Sequence, residues 1–136
     1  MRIKVSSIPY EGEDCAEIYF PQTLDLDRFD IKVNKPFEVV YHIYKEEEEL
    51  FVKAKVKVYL ETICARCLEV SELILEKEYN FVYKVKNTDI IDTTSDIRQE
   101  IILDFPLKPL CKIDCLGLCP RCGGNLNRNE CKCKQV

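Results

Sequence analysis

"LFVKAKVKVYLETI" occupies residues 50–63 and alternates without a break. Val52, Ala54, Val56, Val58 and Leu60 fall on one side, and Lys53, Lys55, Lys57 and Glu61 on the other. A period of two sends successive side chains to opposite faces, so the segment reads as a strand with one buried and one wet face. Upstream, "PFEVVYHIY" (36–44) sets Phe37, Val39, Tyr41 and Ile43 on one face. The charged run "KEEEE" (45–49) between the two reads as a solvated hairpin tip. Downstream, "LILEKEYNFVYKVK" (73–86) alternates through Tyr79, Phe81, Tyr83 and Val85. It reads as a strand antiparallel to 50–63, with "CARC" (64–67) at the bend.

Shorter strands are expected near 2–5, 15–20 and 29–33. The polar stretch 87–96 reads as a loop. In "SDIRQEIILDF" (95–105), Ile97, Ile101, Ile102 and Phe105 share a helical face and Ser95 is placed to cap it. A strand is the alternative there, since Ile-Ile-Leu-Asp-Phe is β-prone. Pro106 and Pro109 end that element. From Leu110 onward the chain is cysteine, glycine and polar residues, with too little apolar area to fold by burial alone. The expected fold class is α+β: a mainly antiparallel β body over 1–106 with one short helix. A cysteine-rich, zinc-binding tail over 107–136 is expected to pack on that body through Cys64 and Cys67.

The 136 residues are 46% hydrophobic and 32% charged, an ordinary globular balance. No apolar run approaches the ~18 residues of a membrane span, and "MRIKVSSIPY" has no apolar signal core. A cytoplasmic location with reduced thiols is expected, without membrane association. Nine cysteines in such a compartment point to metal or redox chemistry. Cys64 and Cys67 form one C-x2-C pair; Cys111, Cys115, Cys119, Cys122, Cys131 and Cys133 follow. These make two sets of four, with Cys15 left over as a small buried hydrophobe.

Four soft ligands at tetrahedral corners suit zinc. In "CPRCGG", Cys119 and Cys122 can aim two sulfurs at one ion while Gly123 and Gly124 allow tight backbone. Cys131 and Cys133 would complete that site across a short loop of low closure entropy. Cys64, Cys67, Cys111 and Cys115 would form a second site, with Cys111 and Cys115 one helical turn apart. Two zinc ions are therefore expected. A crossed pairing of Cys64/Cys67 with Cys119/Cys122, and a binuclear cluster with shared thiolates, are the competing arrangements. Three rival chemistries rank below zinc. The C-x3-C-x2-C of Cys115, Cys119 and Cys122 matches an iron–sulfur spacing, but radical enzymes that use it need far more chain. Redox chemistry at Cys64–Cys67 expects a βαβ context. Disulfides are the third rival, since the cytosol of thermophiles carries them and the Lys- and Glu-rich composition is compatible with such a source.

The net charge of −4 is unevenly spread. Residues 106–136 carry Lys108, Lys112, Arg121, Arg128, Lys132 and Lys134 against Asp114 and Glu130, a local +4 that leaves −8 for the rest. Lys53, Lys55, Lys57, Arg66, Arg121, Arg128 and Lys132 are candidate phosphate contacts. The opposing reading is a solvated face balanced by Glu61, Glu69, Glu72, Glu76 and Glu78. His42, the single histidine, reads as a surface residue. No catalytic triad, phosphate loop or carboxylate pair appears, so neither an enzyme nor a small-molecule substrate is expected.

"CARCLE" (64–69), "DFPLKPLC" (104–111) and "CLGLCPRCGGNLNRNECKC" (115–133) together resemble the YceD family, named for accumulation of large-subunit ribosomal RNA. The resemblance spans roughly 50–136. It implies a non-enzymatic part in synthesis, processing or stability of that RNA, with ribosomal RNA or a ribosomal or assembly protein as partner. Cys64, Cys67, Cys111 and Cys115 match the family's core metal-candidate positions, and Cys119, Cys122, Cys131 and Cys133 its tail set. The alternative function is a zinc-tailed protein-interaction adapter that makes no nucleic-acid contact.

Overall fold

The computed structural model describes residues 1–131 and 133. Three long strands dominate: β4 (Phe37–Glu46), β5 (Glu49–Ile63) and β6 (Val70–Lys84). β5 pairs antiparallel with β4 from Val56↔Val39 to Glu49↔Glu46, and with β6 from Glu49↔Lys84 to Ile63↔Val70. β2 (Glu13–Tyr19) borders β4, and the two-residue β3 (Ile31–Lys32) continues the same side of β5 beyond β4. The result is a five-stranded antiparallel sheet. The acidic tip is tighter than its sequence suggests: Glu46 and Glu49 are already paired, and Glu47 adopts a left-handed φ of 50°.

The buried side chains obey the period-two reading. Phe37, Val39, Tyr41 and Ile43 of β4 and Leu50, Val52, Ala54, Val56, Val58 and Leu60 of β5 are buried. Each contributes roughly 1.5–3 kcal/mol through loss of apolar surface, less for alanine. A second layer covers that face: β1 (Arg2–Lys4), α1 (Pro21–Leu24), β7 (Ile90–Asp92) and α2 (Thr94–Leu103). Ile3, Leu24, Ile97 and Ile101 join the same core. The Tyr79 and Tyr83 hydroxyls donate to Asp104 and Asp96, each at 2.6 Å, and so tie β6 to the helix region.

Several local expectations need correction. Ser95 lies inside α2 and does not cap it; the Thr94 N–H is instead satisfied by Asp92 Oδ1 at 3.0 Å. The polar loop contains β7, which pairs with β1 from the other end of the chain. The helix expected within 95–105 is present as α2, its β-prone Ile101-Ile102-Leu103 included, because burial of Ile97 and Ile101 one turn apart outweighs local propensity. Cys111 and Cys115 are not on a helix; the Cys115 N–H closes a turn onto Lys112 O at 3.2 Å. Cys15 is half-buried, its sulfur 3.7 Å from Met1 Sδ. No helix among the described residues is long and apolar enough to cross a membrane.

Candidate metal centre

The β5–β6 bend and the segment 119–124 repeat one local structure. In the first knuckle, Cys64 N–H donates to Glu69 O at 2.8 Å and Leu68 N–H to Cys64 O at 3.0 Å. In the second, Cys119 N–H donates to Gly124 O at 2.8 Å and Gly123 N–H to Cys119 O at 2.9 Å. Both turns need positive φ just after the second cysteine. Gly123 supplies it at 73°, and Leu68 takes it at 63° despite its side chain, a strain of ~1–2 kcal/mol. Each knuckle therefore reads Cys-x-Arg-Cys followed by a left-handed residue.

Two sulfur quartets result, Cys64/Cys67/Cys111/Cys115 and Cys119/Cys122/Cys131/Cys133, with sulfurs inside each quartet all within 4.8 Å of one another. This is the local pairing, not the crossed one. The Cys64–Cys115 and Cys67–Cys111 sulfur separations are both 3.6 Å. Those of Cys119–Cys133 and Cys122–Cys131 are both 3.8 Å. A disulfide would need ~2.05 Å, whereas a tetrahedron with ~2.3 Å metal–sulfur bonds has edges of about 3.8 Å. The geometry fits two metal ions, and a set of four thiols is a soft donor set.

Site I is the buried one: Cys64, Cys67 and Cys115 are nearly inaccessible and Cys111 half-buried. Leu110 and Leu118 pack on it as a small core separate from that of the sheet. It straps the tail to the β5–β6 hairpin. Ala65 N–H donates to Pro109 O at 2.7 Å, and Arg66 Nη1 to Cys115 O at 2.9 Å. Site II is more open, with Cys119 buried, Cys131 and Cys133 half-buried and Cys122 exposed.

Electrostatics separate the thiols within each quartet. Burial pushes Cys64 up, but N–H groups of Cys67, Cys111 and Arg66 outweigh it and hold the thiol at about 6. Burial likewise opposes ionisation of Cys115, and the Asn127 amide and Gly117 N–H bring it below its ordinary value. The Cys122 and Arg121 N–H groups lower Cys119. Burial and then the neighbouring sulfurs push Cys111 up to about 12. Interaction with Cys119 and Cys122 does the same to Cys133. In physical terms, the backbone is arranged for thiolates, yet four negative sulfurs need a cation among them.

Sequence reading missed the polar groups around the sulfurs. Asn125 is buried; its Oδ1 accepts from Asn127 N–H at 2.9 Å and from Asn127 Nδ2 at 3.0 Å. Asn127 Nδ2 also donates to Cys115 Sγ at 3.3 Å. Glu69 reaches across from the first knuckle, accepting from Arg128 Nη2 at 2.9 Å and Asn125 Nδ2 at 3.5 Å. The one available signal was polar residues of fixed spacing directly after Gly-Gly, since ligating groups need their own hydrogen-bond partners.

The basic candidates are dispersed. Lys53, Lys55 and Lys57 do share the exposed sheet face. However, Lys55 and Lys57 stand opposite Glu78 and Glu76, and Lys53 Nζ lies 3.4 Å from Glu78. A shallow depression of about 560 Å³ there is lined by Glu38, Val40, Lys55, Lys57, Tyr59 and Glu76, among others. Arg66 and Arg128 make the internal contacts above, Arg121 is exposed at the second knuckle, and Lys132 lies outside the described residues. His42 is exposed on the same sheet face, its Nδ1 at 2.5 Å from Asp14 Oδ1.

The family model described as "Large ribosomal RNA subunit accumulation protein YceD" matches residues 76–136, which include six of the eight paired cysteines and exclude Cys64 and Cys67. An uncharacterized protein of Mycobacterium tuberculosis is 37% identical over 79 residues, covering 44% of this chain and 37% of the relative. An uncharacterized protein of Mycobacterium leprae is 27% identical over 112 residues, covering 71% of this chain and 52% of the relative. The chloroplastic "Large ribosomal RNA subunit accumulation protein YCED homolog 1" of Arabidopsis thaliana is 34% identical over 58 residues, 43% of this chain and 17% of that protein. The chain thus spans about half or less of the length of these relatives. No solved structure matches. The likeness to the YceD family thus lies in the cysteine-rich segment matched by its model and in the homologue bearing its name.

Proposed function

We propose that this chain is a non-enzymatic, zinc-stabilised factor in large-subunit ribosome biogenesis, supporting synthesis, processing or stability of large-subunit ribosomal RNA in the cytoplasm. The observation that carries this reading is the pair of sulfur quartets with tetrahedral edge lengths, lying largely within the segment that matches the family. In this reading the body over 1–106 is a scaffold and the tail over 107–136 the working surface. Cys64, Cys67, Cys111 and Cys115 hold one zinc ion, and Cys119, Cys122, Cys131 and Cys133 the other. Zinc supplies the cohesion that the tail's two packed leucines do not. Arg121, with Lys108 and Lys112, is exposed there to meet phosphate.

Metal analysis of purified protein tests the zinc reading: two ions per chain are expected, falling to one in Cys64→Ser and one in Cys131→Ser. Binding to ribosomal RNA fragments tests the partner. Affinity is expected to fall steeply between low and moderate salt and to weaken on reversal of Arg121; a salt-independent affinity would refute phosphate contact.

A protein partner is the second reading, favoured by two observations. The lysine row is interleaved with carboxylates, and Leu107, Ile113 and Leu116 beside site I are 91%, 94% and 65% exposed. Capture of large-subunit components that survives nuclease treatment would select this reading.

A further inference from the structure

The motif "NLN" (125–127) belongs to the sequence of site II but makes its contact with site I. The 3-10 turn Leu126–Arg128 starts from Asn125, whose side chain accepts from Asn127 N–H. Asn127 then spans the gap between sites: Oδ1 accepts from Leu116 N–H at 2.9 Å, and Nδ2 donates to Cys115 Sγ at 3.3 Å. The turn is closed on both sides. Leu126 N–H donates to Gly117 O at 3.0 Å, and Glu130 N–H to Asn125 O at 3.1 Å. Immediately beyond Glu130 comes Cys131, a member of site II. The loop that seats Asn127 is therefore pinned at its start by Cys119 and Cys122 and at its end by Cys131 and Cys133.

We propose that Asn127 is a positioning residue that couples the two metal sites. Loading of site II closes the 119–133 loop, and closure seats the Asn127 amide on Cys115, tightening site I. A thiolate that also binds a cation has negative charge to share, and one N–H donor aimed at it favours the ligating form. Coupling is reciprocal by linkage, so a loaded site I also favours loading of site II. The two sites are unequal in access: Cys122 is exposed while Cys64 and Cys115 are buried. Site II is thus the part that exchanges with free metal, and site I registers its occupancy. This inference rests on the metal reading above and adds to it a named residue and a direction.

The test is a double-mutant cycle on the full-length chain, with zinc affinity of site I measured by chelator competition and metal per chain by elemental analysis. Cys131→Ser isolates site I and is expected to weaken it by roughly 10–100-fold, the usual effect of losing a group that supports a ligand. Asn127→Ala is expected to keep two ions per chain and weaken site I by a similar factor. In the Cys131→Ser background, Asn127→Ala is expected to add little, because the loop is already open. Asn127→Asp keeps the acceptor for Leu116 but turns an oxygen toward Cys115, and should weaken site I beyond Asn127→Ala. Equal site I affinity in wild type and Asn127→Ala, or fully additive effects in the double mutant, would overturn the coupling while leaving the zinc reading intact. A chain that binds no zinc overturns both.

Discussion

Replacing Gly124 with alanine tests the architecture of site II at one atom. A methyl group there would stand 2.4 Å from Glu130 O, 2.7 Å from Glu130 C and 3.0 Å from Cys131 N. All three are backbone atoms, so no side chain can swing aside. Ordinary contact begins near 3.4 Å, so segments 123–124 and 130–131 must part by about 1 Å. The Cys122–Cys131 sulfur separation of 3.8 Å has no such slack, because metal–ligand distances tolerate only ~0.2 Å. The expected result is a site II zinc affinity lower by about 100-fold or more, ~2.8 kcal/mol, within the usual cost of overpacking. Gly123→Ala is the matched control. It meets no atom within 4 Å and incurs only the positive-φ strain that Leu68 already bears in the first knuckle. Its effect should stay near tenfold. Competition with a chromogenic chelator, run on both variants beside wild type, reads the difference. Gly124→Ala binding zinc as tightly as Gly123→Ala would mean that Glu130 and Cys131 do not lie where the geometry requires.

Two further outcomes are expected, one at the first knuckle and one on β6. Leu68→Gly removes strain of ~1–2 kcal/mol but adds glycine's unfolded-state entropy of ~1 kcal/mol; with Leu68 62% exposed, urea unfolding should place the variant within about 1 kcal/mol of wild type, and a larger loss would refute the equivalence of the knuckles. Burial, then the Asp104 carboxylate, pushes the Tyr79 hydroxyl above its ordinary range, and burial with Asp96 does the same for Tyr83. The folded chain therefore keeps protons that the unfolded chain releases above pH ~10. The associated stability is complete below that pH and declines as pH rises beyond it. Urea midpoints measured from pH 8 to 11 should show that decline, and the Tyr79→Phe/Tyr83→Phe double variant should flatten it.

The three long strands were legible because burial enforces period two over many residues, and one face of β5 cannot be misread when Lys53, Lys55 and Lys57 alternate with buried valines. β7 was not legible. Its pairing partner β1 lies some ninety residues away, and a strand of three residues, Ile90–Asp92, is too short to carry a pattern of its own. The same division runs through the candidate site. Which cysteines cluster together followed from loop length, since closing 119–133 costs less chain entropy than bringing 64–67 to 119–122. Leu68 at positive φ and Asn127 on Cys115 followed from nothing local, because each answers a demand made by another segment.

That asymmetry bears on how the tail is built. Site I carries its own small core of Leu110 and Leu118, and it joins the tail to a strand bend that the sheet already holds. Among the described residues site II joins no such core: its four cysteines are in neither packed cluster. What orients it is borrowed from site I, through Gly117 O, Leu116 N–H and Glu69. Gly117 is favoured there in turn: its φ of 81° strains any side chain, and a Cβ would stand 3.3 Å from the Arg66 carbonyl oxygen. Orientation is therefore passed along the chain of contacts: the sheet holds the hairpin bend, the bend holds site I, and site I orients site II. Damage at site II should leave the sheet and the bend intact, whereas damage at site I should leave site II able to hold its ion but with weaker affinity, because its orienting contacts loosen.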